Sequence, residues 1–93
     1  MEKKVSAHVV ISGRVQGVFF RAETRRTAES HAVCGWVKNR EDGRVEARFE
    51  GNEKDVKAVI DWCHKGPALS NVTSVEVTFL EILQGFSKFG IEY

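Results

Sequence analysis

A chain of 93 residues can build one hydrophobic core but not two, so residues 1–93 are expected to form one domain. Its 42 % hydrophobic and 10 % aromatic content is that of a globular protein rather than a disordered one. Fourteen basic residues against thirteen acidic ones leave a net charge of +1; that gives no general pull toward nucleic acid or an anionic membrane, so any anion must be held locally.

The chain opens with Met1-Glu2-Lys3-Lys4 ahead of Val5 and shows no apolar run of the kind a signal peptide or a membrane span requires. A cytoplasmic protein without membrane association is expected. Val5, Ala7, Val9 and Ile11 then alternate through Val5–Ser12, the period of a strand with one buried face. Gly13 to Phe20, with glycines at 13 and 17, interrupts the alternation. From Arg21 to about His31 the composition turns charged and helix-favouring, with Ala22, Ala28 and Ala32 as small packing residues.

Two short strands follow, Gly35 to Arg40 and Arg44 to Gly51, joined by Glu41-Asp42-Gly43. Asp-Gly between such runs is a hairpin signal, because glycine accepts the positive φ of a tight turn. Val45, Ala47 and Phe49 alternate with Arg44, Glu46, Arg48 and Glu50, which predicts one dry and one wet face. Asn52 is placed to cap a second helix, in which Val56, Val59, Ile60 and Cys63 recur at helical spacing until Gly66-Pro67 stops it. Val75, Val77 and Phe79 alternate as a further strand, and so do Phe89, Ile91 and Tyr93. The order is β-α-β-β-α-β plus an additional C-terminal strand. Its expected packing is an α+β, ferredoxin-like sandwich: an antiparallel-rich sheet with two helices on one face. That arrangement hosts many unrelated activities, so function must be argued from a site.

The informative segment is Gly13-Arg14-Val15-Gln16-Gly17-Val18-Phe19-Phe20-Arg21, between the first strand and the first helix. N–H groups at a helix start have no intrahelical partner, and the helix dipole adds positive potential there. A glycine lets successive N–H groups turn toward one centre as an anion-binding nest. Arg21 would add a permanent charge and a planar fork matched to phosphate oxygens. Taken alone, the segment fits a tight connection with a surface arginine equally well, since it is neither a Walker loop nor a dinucleotide fingerprint. The second segment is Gly35-Trp36-Val37-Lys38-Asn39-Arg40-Glu41-Asp42-Gly43. Asn39 can serve simply as a turn-favouring residue, or as an amide that donates and accepts at once and so orients a water.

Together the two segments resemble the paired signatures of the acylphosphatase family, GxVQGVxFR and GWVxNxxDGxVE, and the resemblance extends over nearly the whole chain. It implies hydrolysis of acyl phosphates, small-molecule carboxyl-phosphate anhydrides, to a carboxylate and inorganic phosphate, with no metal, no cofactor and no covalent intermediate. By position, main-chain amides of Val15, Gln16, Gly17, Val18, Phe19 and Phe20 would hold the phosphoryl group, or inorganic phosphate or a similar anion. Arg21 would be the phosphate-binding catalytic residue, and Asn39 would orient the attacking water. A monomer is expected. Three places depart from the family pattern: His31-Ala32 where Leu-Gly is frequent, Arg40 after the asparagine, and Glu92 where arginine often precedes the terminal tyrosine. The first should affect packing and the helix stop. Arg40 reads better as a solvated side chain than as an attractor of anionic substrate.

Other residues suggest structural roles. His8, His31 and His64 lack metal-ligand spacing, and Trp36 and Trp62 read as core or semi-core aromatics. Cys34 and Cys63 read as free buried thiols, with a disulfide between them left open. A catalytically silent binding module of the same fold is disfavoured because Arg21 and Asn39 are both present. An RNA binder is disfavoured by the near-neutral charge and by a third strand without an RNP-type aromatic run.

Overall fold

The computed structural model describes residues 3–93. The elements are β1 (Lys4–Arg14), α1 (Phe20–Ser30), β2 (Cys34–Asn39), β3 (Val45–Asn52), α2 (Glu53–Lys65), β4 (Asn71–Leu80) and β5 (Phe89–Glu92). The strands form one sheet in the order β4-β1-β3-β2-β5, antiparallel throughout except for the parallel pair β2–β5. This is the expected ferredoxin-like α+β sandwich with its extra strand. α1 packs over β2 and β5, and α2 over β1 and β4.

The alternation read in β1 is real: Val5, Ala7, Val9 and Ile11 all face the helices and are buried. From β3, Val45, Ala47 and Phe49 join them, and α2 lays down Val56, Val59, Ile60 and Cys63. Two aromatic pairs brace the core: Phe49 stacks on Phe89 at 5.8 Å, and Phe20 meets Trp62 at 5.5 Å in a tilted contact. Such pairs contribute about 0.5–1.5 kcal/mol beyond their buried area. Asn52 occupies the N-cap position of α2, but its side chain makes no capping bond; the Glu53 N–H donates instead to the Lys3 carbonyl at 2.8 Å.

The outer face of β3 is less wet than its pattern predicts. Glu50 is buried there, accepting from the Ser6 hydroxyl at 2.9 Å and from the backbone N–H groups of Gln84 and Gly85 at 2.7 and 3.1 Å. Burial alone would raise its pKa, but donors from Gln84, Ser6, Gly85 and Phe86 outweigh burial and hold it below the usual carboxylate range. Arg48 completes the network, donating to Ser6 Oγ at 3.0 Å and to the Ile82 carbonyl at 3.1 Å. The segment between β4 and β5 thus straps across the sheet on a carboxylate. Phe79 also departs from expectation, lying half-exposed on the edge strand β4.

The cysteines are both free, Cys63 buried and Cys34 half-buried. Burial pushes the Cys63 thiol up to about 12, which suits a packing residue and not a nucleophile. No helix among the described residues is long and apolar enough to cross a membrane.

Candidate active site

The register of β1 delivers the loop. Between Ser12 and Gly13 the pairing with β4 slips by one residue, so that Ser12 faces Ser74 but Gly13 faces Val72. Such a bulge re-aims the chain that leaves it. Gly13 is required there: its φ is 120°, and a Cβ would lie 2.1 Å from the Asn71 carbonyl oxygen.

Beyond Arg14 the loop is nailed down by apolar side chains and leaves its main chain outward. Val15, Val18 and Phe20 are buried, whereas Gly17 and Phe19 are exposed. The backbone alternates in sign: Gly17 has φ 73° and Phe19 φ 66°, with Gln16, Val18 and Phe20 on the negative side. That alternation is the geometry of a nest, in which consecutive N–H groups converge on one point. None of the N–H groups from Gln16 to Phe20 donates to any acceptor among the described residues. α1 starts here without a side-chain cap, Phe19 being its N-cap residue. Open donors and the positive end of the helix therefore coincide.

Arg21 stands on the first turn of α1. Its guanidinium has no carboxylate partner among the described residues and lies 5.1 Å from the centre of the Tyr93 ring. Asn39, the last residue of β2, shares the face of buried Val37 and so points to the helix side of the sheet. Its carboxamide makes no hydrogen bond among the described residues. Val15, Gly17, Phe19, Phe20, Arg21 and Asn39 line one cleft of about 320 Å³, closed on its other side by Ile91 and Tyr93. The predicted residues thus meet, 18 positions apart in sequence for Arg21 and Asn39 and adjacent in space.

What joins the two halves is Gln16. Its side-chain amide donates to the Arg40 carbonyl at 2.8 Å and to the Arg44 carbonyl at 2.9 Å, the two oxygens flanking the β2–β3 turn. The loop is thereby stapled to the hairpin that carries Asn39. In the same turn Asp42 accepts three bonds from Arg44, two from its guanidinium and one from its backbone N–H, and pairs with Arg40 at 3.2 Å. The Arg44 hydrogen bond leads the Arg contacts that hold the Asp42 carboxyl at about 2. Arg40 is therefore an ion-pair partner inside the turn rather than a solvated side chain, and it does not line the cleft.

Of the two loop phenylalanines, Phe19 is exposed whereas Phe20 is buried in the core and meets the cleft only from beneath. Ile91 and Tyr93 are site residues that neither sequence segment contains. Their alternation with Phe89 was the available signal, since β5 runs parallel to β2 and sets Ile91 beside Val37, two residues before Asn39. The described residues contain no cluster of three or more His, Cys, Asp or Glu side chains able to hold a metal.

An antiparallel-rich α+β sandwich with a cleft rimmed by unpaired N–H donors, a guanidinium and a carboxamide is the class of protein these elements define. The acylphosphatase family model matches residues 7–91. An acylphosphatase of Haloarcula marismortui is 51 % identical over 87 residues, 94 % of each chain. One from Chloroflexus aurantiacus is 56 % identical over 77 residues, covering 83 % of this chain and 84 % of the relative. The crystal structure of acylphosphatase from Bacillus subtilis superposes with a TM-score of 0.93 at 38 % identity, covering 96 % of this chain and 99 % of the other. The chain belongs to the acylphosphatase family and is a hydrolase acting on acyl phosphates.

Proposed function

We propose that the cleft hydrolyses acyl phosphates by direct attack of water on phosphorus, without a metal. The phosphoryl oxygens sit in the nest of N–H groups from Val15 to Phe20, and the Arg21 guanidinium pairs with them from the first turn of α1. Asn39 accepts a hydrogen bond from the water through its carboxamide oxygen and aims the water's lone pair at phosphorus. The water oxygen bonds to phosphorus, the bond from phosphorus to the acyl oxygen breaks, and the carboxylate leaves with the electron pair. The phosphate takes up the water's proton. A carboxylate is a good leaving group, so no strong general acid is demanded.

The transition state spreads charge over the equatorial phosphoryl oxygens, so positioning and electrostatic stabilisation carry the rate. Preformed dipoles supply this best, because they need no reorganisation during the reaction. The observation that carries the reading is the convergence on one cleft of donors, an arginine and an amide that, among the described residues, have no acceptor, carboxylate or hydrogen-bond partner respectively. The working unit is residues 1–93 as one domain, a cytoplasmic monomer whose loop also takes inorganic phosphate or a similar anion.

The test is hydrolysis of acetyl phosphate and benzoyl phosphate with and without EDTA. Turnover indifferent to the chelator is expected; turnover lost with EDTA refutes the metal-free mechanism. Arg21→Ala should weaken inhibition by inorganic phosphate and cut the rate. Asn39→Ala should cut kcat by about 10²–10³, the usual effect of one lost transition-state contact, with phosphate inhibition intact. The reverse pattern would exchange the two roles.

A further inference from the structure

The phosphate cleft has an apolar neighbour on the side away from Asn39. Val18 and Phe19 of the loop, with Pro67, Ala68 and Leu69 after α2, line a second groove of about 340 Å³. Phe19 is 72 % exposed and Leu69 65 % exposed, among the most open large apolar side chains described. Both stand on a defined backbone. The backbone of Phe19 is set by its positive φ and by its neighbours Val18 and Phe20, both buried. Leu69 stands in a turn closed by Ser70, whose N–H and hydroxyl both donate to the Pro67 carbonyl, at 3.0 and 2.6 Å.

The topology sets this groove opposite Asn39. The loop leaves β1, which has β3 and then β2 on one side and β4 on the other. Asn39 ends β2 and Gln16 reaches toward that flank, whereas the Pro67–Leu69 turn leads into β4, whose first residue pairs with Arg14. In phosphoryl transfer the attacking and leaving oxygens lie roughly in line across phosphorus. With water held on the β2 flank, the acyl group departs toward the β4 flank, where Phe19 belongs to both the phosphate cleft and the apolar groove.

On the reading that this cleft is the phosphoryl site, we infer that the groove of Val18, Phe19 and Pro67–Leu69 is the acyl-group subsite and favours uncharged, apolar acyl groups over small or anionic ones. The walls are hydrocarbon, so an aryl or alkyl acyl chain gains by leaving water. The ionisable residue on its margin is Glu23, which repels an acyl group bearing its own carboxylate. Glu23 is only loosely countered by Arg26 at 3.6 Å.

The test compares kcat/KM for acetyl, benzoyl and succinyl phosphate in the unmodified protein and in Leu69→Ser and Leu69→Met. Benzoyl phosphate should be preferred to both others. Leu69→Ser should lower the benzoyl value about tenfold, the low end of what one apolar contact contributes to discrimination, and the acetyl value less than about twofold. Leu69→Met should restore the benzoyl preference. Inhibition by inorganic phosphate, read in parallel, should stay with the loop in all three proteins. A benzoyl-to-acetyl ratio indifferent to Leu69, with normal turnover and phosphate inhibition, overturns the subsite alone. Absence of turnover of every acyl phosphate by the unmodified protein overturns the phosphoryl site, and the subsite with it.

Discussion

The two ends of α1 solve the same backbone problem in opposite ways. Each is flanked by a non-glycine residue in the left-handed region, Phe19 at φ 66° before the helix and Ala32 at φ 56° after it. At the C-terminal end every consequence is closed off. The Val33 N–H donates to the Ala28 carbonyl at 2.9 Å and the Ala32 N–H to the Glu29 carbonyl at 3.1 Å, a Schellman motif that occupies two of the helix's last acceptors. At the N-terminal end nothing closes: the N-cap side chain is a phenylalanine, which has no polar atom to offer, and the loop donors stay open. Left-handed backbone costs a non-glycine residue about 1–3 kcal/mol. At one end the strain holds donors open toward a cleft; at the other it merely stops a helix.

If that difference is functional, distorting the open end should cost activity far more than stability. Gly17 tests this cleanly, because a Cβ built on it meets nothing within 4 Å, so a substitution acts through its φ of 73° and not through a clash. Gly17→Val places a β-branched residue where the nest needs positive φ. We expect kcat/KM for acetyl phosphate to fall by about 10² or more, the scale of losing one oxyanion donor, with weaker inhibition by phosphate. The thermal unfolding midpoint should fall by about 5–15 °C, the shift that about 1–2 kcal/mol of strain produces in a domain of this size. Full activity in this variant would mean the nest is incidental.

Gln16 sharpens the comparison at smaller amplitude. Its side chain does not hold phosphate; it ties the open end to the hairpin of Asn39. Gln16→Ala keeps the main-chain N–H but removes the staple, leaving the Arg44 carbonyl still served by the Arg40 N–H at 2.8 Å. The expected result is a loss of about tenfold in kcat, a misplacement effect milder than removal of a reacting group, with KM and phosphate inhibition little changed. Raised KM at constant kcat would assign Gln16 to ground-state binding instead.

These particulars show what the sequence could and could not reveal. β1 and α2 were legible because one face of each is dry, so Val5 to Ile11 and Val56 to Cys63 carry the period of their element. Arg21 could be read as a candidate anion ligand, beside the equally open reading of a surface arginine, because a glycine-bearing loop entering a helix has its own physical meaning. Asn39 rested on family resemblance, since the structure that gives a pre-turn asparagine its role, the neighbouring loop, lies 18 or more residues upstream. The wet face read for β3 failed at Glu50 because the covering strap comes from residues 34 and 35 positions later, where no periodicity announces it. Gln16 was read only for its main-chain amide, and Leu69 not at all, for the same reason: the neighbours of both side chains come from other elements.

The closed end of α1 offers the smallest effect and the most direct control. Ala32 sits at the position of the Schellman motif where glycine is strongly preferred, because glycine carries no Cβ to crowd the following carbonyl. Ala32→Gly removes that crowding while adding backbone freedom to the unfolded chain, which takes back about 0.5–1 kcal/mol. The net expectation is a gain of about 1 kcal/mol or less, read as a rise of a few degrees in thermal midpoint. Ala32 lines neither cleft nor groove, so kcat and KM for acetyl phosphate should be unchanged. A fall in activity with the gain in stability would show that the two ends of α1 are mechanically coupled. A fall in stability would mean that the Ala32 backbone bears no strain, and the contrast with Phe19 would then be one of hydrogen bonding alone.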